Sequence, residues 1–146
     1  MIKSLPNNIA IENVKMLVDE GRKVILPVKG NSMLPFIIGD RDSVELVKTE
    51  HVVVGDVVLA WVDGTRYVIH RVIQRDAAGH LTLMGDGNLD ITEHCTEHDV
   101  VAKALYRVQP NGKKTPLYNN STRVRVWRSL LPVRRWLLAI YRRVIL

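Results

Sequence analysis

A serine, a histidine and an acid stand where this chain must turn or must be stiff, and together they have the chemistry of acyl transfer. Ser32 lies in Gly30-Asn31-Ser32-Met33-Leu34-Pro35, bracketed by a glycine and a proline, so the backbone has to turn around it. A serine hydroxyl becomes a nucleophile only when a base takes its proton, and that base needs a third group to orient it. The turn displays the hydroxyl. It also exposes backbone N–H groups, around Asn31 and Met33, that can hold an oxyanion. His70 lies within Arg66–Ile73, an extended segment whose alternation puts Val68, His70 and Val72 on one face and Tyr67, Ile69, Arg71 and Ile73 on the other. A strand is a rigid mount for a base. Asp86, in Met84-Gly85-Asp86-Gly87-Asn88, is an acid in a glycine-rich turn and a candidate third member. Taken singly, each has an ordinary alternative role, the serine as a turn former and the histidine as a satisfied core residue.

Metal chemistry is the other option that the residue types raise. His94, Cys95 and His98 sit close together, but zinc sites draw their ligands from two separated clusters. One cysteine and no second cluster point to polar loop residues, so no metal and no cofactor are expected.

The elements that must position these groups are short. Asn7-Asn8 cap an amphipathic helix that ends at Gly21. Strands follow at Arg22–Lys29, Ser43–Val47, Val57–Asp63, Arg66–Ile73, Leu81–Met84 and Val100–Val108, the last with room for an initial helical turn. Pro27 implies an edge or irregular position. Asp63-Gly64 is a hairpin signal. Many short strands separated by turns predict a mainly β body. Beyond it, Val133, Trp136, Leu137, Ile140, Tyr141 and Val144 fall at helical spacing after Pro132, among arginines. This predicts a basic amphipathic helix of the kind that lies on membranes or docks on a partner. The chain therefore divides into a β domain, residues 1–110, and a basic C-terminal segment, residues 111–146.

Charge is unevenly placed along the chain as well. Residues 1–100 carry 10 Lys/Arg against 15 Asp/Glu, whereas residues 101–146 carry 11 Lys/Arg and no acid, for a net +6. A basic tail on an acidic body suits nucleic acid, a membrane surface or an acidic partner, or folds back on the body itself. The tail's apolar side is too continuous for a phosphate-binding arm, and no nucleic-acid motif is present, so nucleic acid is not the expected partner. No apolar run exceeds six residues, the length of Val57–Val62, against about 20 for a spanning helix. No secretory signal follows Met1. The expected location is the cytoplasm, with residues 124–146 as a peripheral contact to the anionic inner face of the membrane.

The order of the blocks resembles that of the S24/S26 peptidase superfamily, the type I signal peptidases and self-cleaving SOS repressors. Gly30–Pro35 followed by Gly39-Asp40 and Ser43–Val47 is similar to the family's nucleophile segment. Gly55–Leu59 resembles its next strand, Tyr67–Ile73 the segment carrying the base, and Met84–Asn88 the Gly-Asp-Asn segment carrying the acid. Most members use a lysine base. His70 resembles instead the Ser-His-Asp arrangement of the archaeal and endoplasmic-reticulum signal peptidases. The resemblance implies a coiled, mostly antiparallel β-sheet body, with Ser32 as nucleophile, His70 as general base and Asp86 as supporting acid, Asp90 being the second choice for the acid. It implies a serine endopeptidase that binds its peptide or protein substrate as an added strand. The alternative is a non-catalytic binding module on the same scaffold, its basic tail contacting lipid or an acidic partner.

Overall fold

The computed structural model describes residues 8–88, 90–117, 127, 130 and 134–145. The elements run α1 (Asn8–Asp19), β1 (Val24–Pro27), β2 (Ser43–Val47), β3 (Val57–Val62), β4 (Arg66–Arg75), β5 (His80–Met84), β6 (Glu93–Thr96), a 3-10 turn (Glu97–Asp99), β7 (Val100–Val108), β8 (Lys114–Pro116) and α2 (Arg134–Ile145). Asn7, Val124, Pro132 and Val133, which the sequence assigned to helix caps and the tail, lie outside the described residues. The strands pair antiparallel in the order β1-β2-β7-β3-β4-β5-β6, with β8 on β7. The sheet curls into a half-barrel. The mainly β expectation holds.

Local chemistry explains most boundaries. Asp63 and Gly64 both take positive φ, 51° and 68°, as the two central residues of a primed turn between right-twisted strands do, and the Thr65 N–H closes the turn on the Val62 carbonyl at 2.9 Å. β1 is the terminal strand of the sheet, and there Pro27 breaks no interior ladder. Register shifts at Leu59/Ala60 against β7 and at Val72/Gln74 against β5 bend the strands, as bulges do. Two strands escape the sequence pattern. β8 is three residues long. β6 is written almost wholly in polar residues, Glu93-His94-Cys95-Thr96.

The sheet buries both faces of its centre. One core lies inside the curl and takes Ile11, Val14 and Val18 from α1, Leu34 and Ile37 from the loop after β1, and Leu59 and Ile69 from β3 and β4. A second lies between the β3–β4 ribbon and the β5–β6 hairpin, with Val58, Val62, Val68, Val72, Leu83 and Cys95. Burial on two faces is why β3 reads as the unbroken apolar run Val57–Val62 rather than alternating. Trp127 and Leu138 of the C-terminal segment join the first core, so one side of α2 is packed on the β body.

Cys95 sits inside the second core, and burial, together with the negative charges of Asp99 and Asp63, pushes its thiol up to about 11. The thiolate is the reactive form. At pH 8 native protein is expected to react with Ellman's reagent far more slowly than urea-unfolded chain. Equal rates would show that the second core does not close.

Candidate active site

Ser32 is held in place by the buried stretch on its C-terminal side. Met33, Leu34, Phe36 and Ile37 are buried, and the N–H groups of Phe36 and Ile37 both donate to the Met33 carbonyl, at 2.9 and 3.0 Å. The Ile38 N–H is held by the buried Asp42 carboxylate at 2.8 Å. This apolar anchor leaves Ser32 half-buried at the surface while Asn31 is exposed. Its Oγ lies 2.9 Å from Nε2 of His70.

His70 is 5% exposed and stands on the face of β4 that carries Val68 and Val72, residues of the second core. Its other ring nitrogen, Nδ1, is 2.5 Å from Oε1 of Glu93, which is 1% exposed. The second Glu93 oxygen is 3.5 Å from Nη2 of Arg66. Hydroxyl, imidazole and carboxylate thus form a continuous line. An Nδ1–H donating to Glu93 leaves the Nε2 lone pair for the serine proton, the tautomer a general base needs.

Asp86 is not the acid on His70. Both of its oxygens are taken by Arg71, at 2.8 Å from Nε and 2.7 Å from Nη2. Arg71 is 1% exposed, donates through Nη1 to the carbonyls of Gly55 and Leu117, each at 2.8 Å, and lies over the Phe36 ring. The physical reason is alternation. Arg71 follows His70 on the strand and projects from the opposite face, into the first core, and a buried guanidinium requires an anion there. Asp90 is also displaced from the site: it is exposed and faces Arg135 of α2 at 3.4 Å.

What Asp86 holds is the turn around it. The Gly87 N–H donates to the Ser32 carbonyl at 2.7 Å, and the Asp86 N–H approaches the Met33 sulfur at 3.3 Å. A β-carbon at Gly85 would fall 2.3 Å from the Ser32 oxygen, and one at Gly87 2.8 Å from the Asn31 oxygen. Only glycine permits backbones to approach that closely. From the other side, Trp127 Nε1 donates to the Asp86 carbonyl at 3.3 Å and Arg142 Nη2 to the Gly87 carbonyl at 3.4 Å.

An open groove of about 500 Å³ runs past Ser32 and His70, between Val28–Lys29 and the Arg66–Ile69 stretch of β4, with Ile91 and Asn88 on its wall. β5 pairs with β4 only from Arg71 onward, so among the described residues no strand pairs with the Arg66–His70 edge on that side. His94, Cys95 and His98 do not converge: His94 and His98 are exposed and Cys95 faces the core.

A family model for Peptidase S24-like proteins matches residues 5–107, most of the chain and nearly all of the sheet. The chain belongs to the Peptidase S24-like family. No curated protein and no solved structure matches it. The matched stretch holds Ser32, His70, Asp86 and Glu93 alike. The signal for Glu93 was present but faint. Within Glu93–Thr96 the residues at 93 and 95 alternate inward, and an acid on the same face as a buried cysteine must find a partner.

Removing one partner of a buried pair strands the other charge. Asp86→Ala is therefore expected to lower unfolding free energy by about 3–5 kcal/mol, read as a fall in the urea midpoint. A midpoint within error of wild type would refute the anchoring role.

Proposed function

We propose that the chain is a serine endopeptidase in which Ser32 is the nucleophile, His70 the general base and Glu93 the acid that orients it. The observation that carries this reading is the unbroken hydrogen-bonded line Ser32 Oγ–His70 Nε2 and His70 Nδ1–Glu93 Oε1, on a chain of a peptidase family. His70 accepts the hydroxyl proton as Oγ bonds to the substrate carbonyl carbon. The carbonyl π electrons move onto oxygen. The resulting imidazolium gives its proton to the departing amine as the C–N bond breaks, leaving an ester on Ser32. Water, deprotonated by the same imidazole, then releases the acid. Among the described residues neither the Ser32 nor the Met33 N–H has an acceptor, which leaves both available as oxyanion donors.

The substrate is an extended peptide. The unpaired Arg66–His70 edge of β4 offers main-chain groups to an added strand, and this mode places alternate side chains in pockets. Val68, Ile69 and Ile91 make the groove wall apolar, favouring aliphatic side chains beside the scissile bond.

Fluorophosphonate labelling of wild type is expected at Ser32 and is expected to vanish in Ser32→Ala and His70→Ala, with the fold intact by circular dichroism. Glu93→Gln keeps the shape of the side chain but removes the charge opposite the imidazolium. It should lower the labelling or peptide-hydrolysis rate by about a hundred- to ten-thousand-fold. A Glu93→Gln rate equal to wild type would remove Glu93 from the mechanism. Labelling that persists in His70→Ala would overturn the mechanism as a whole.

A further inference from the structure

α2 has a wide apolar face, and among the described residues only part of it is packed. Leu138 is 1% exposed and Tyr141 packs beside it on the first core. On the outward side Trp136 is 77% exposed, Ile140 54% and Val144 76%, with Leu137 next to them. At 100° per residue, Trp136, Ile140, Val144 and Leu137 fall within one arc of about 100°, and the packed side begins beyond Leu137, at Tyr141. Arg143 borders the arc beside Trp136 and is exposed. An apolar stripe of this size on an exposed helix calls for a partner.

We propose that the outer face of α2 is a docking surface for an anionic lipid bilayer, lying in the plane of the interface. The charge of the segment is the argument for lipid over a second copy. α2 itself carries four arginines, Arg134, Arg135, Arg142 and Arg143, and no Asp or Glu, so two such helices face to face would bring like charges together, whereas an anionic headgroup layer complements them. A tryptophan in a basic, apolar stripe suits the boundary between headgroups and acyl chains. No described helix is long and apolar enough to cross a membrane. The Arg142–Gly87 contact puts the helix beside the turn that holds Ser32. On the peptidase reading, though not for docking itself, this brings the groove close to chains held at the same surface.

The test is co-sedimentation of the full chain with vesicles of phosphatidylcholine containing about one-third phosphatidylglycerol, compared with pure phosphatidylcholine. Wild type is expected to pellet with the anionic vesicles, to be released by high salt, and to show a blue shift of tryptophan emission. Trp136→Glu and Ile140→Glu change exposed side chains, so both should keep the wild-type urea midpoint while partitioning at least about tenfold more weakly. Three results would overturn the proposal: no binding to anionic vesicles, equal binding to pure phosphatidylcholine, or unimpaired binding by both variants. A fourth is sedimentation of the lipid-free protein as a dimer that Trp136→Glu dissociates, which would assign the stripe to a second copy. Because none of these readouts involves hydrolysis, they stand or fall apart from the peptidase assignment.

Discussion

The two-pronged ion pair between Arg71 and Asp86 fixes the distance between a strand and a turn that are otherwise separate. Arg71 brings the centre of β4, the Gly55 carbonyl before β3 and the Leu117 carbonyl after β8 to one point. Asp86 brings the turn after β5. Once that turn is fixed, Gly87 has the Ser32 carbonyl within reach, and the Ser32 hydroxyl is set against His70, next to Arg71 on the same strand. Such a pair costs a great deal of desolvation and contributes little net stability. Its value here is positional, because its geometry determines where two backbones meet.

β4 keeps the two jobs apart. Its odd-numbered face at 69 and 71 belongs to the scaffold in the first core, and its even-numbered face at 68, 70 and 72 carries His70 against the second core. His70 and Arg71 are adjacent yet share no acceptor. Glu93 serves His70 from a strand folded over one face, and Asp86 serves Arg71 from a turn packed on the other.

That separation also explains what could be read in advance. Ser32 and His70 were legible because a turn between Gly30 and Pro35, and alternation through Tyr67–Ile73, are local properties. The strands of the ribbon, the Asp63-Gly64 turn and the basic helix were legible for the same reason. Glu93 was not, because its approach to His70 depends on the β5–β6 hairpin folding back over β3–β4, which no local pattern specifies, and because the polar run Glu93–Thr96 hides a strand. Asp86 was drawn to the wrong partner. The corrective lay in the strand's own alternation, which put Arg71 on an apolar face with Tyr67 and Ile69 and so demanded an acid of its own.

The contacts of Trp127 and Arg142 with the Asp86–Gly87 backbone give the site a schedule. Chains emerge from the ribosome in order, and early domains begin to fold while later residues are still being made. Ser32, His70 and Glu93 are all translated before the segment that braces the turn behind Ser32. A nascent chain can thus hold all three side chains while the carbonyls of residues 86 and 87 still lack their braces. The turn behind Ser32 gains both of these contacts only once residue 142 has been added and has folded back, so its final setting is deferred until synthesis has passed that point.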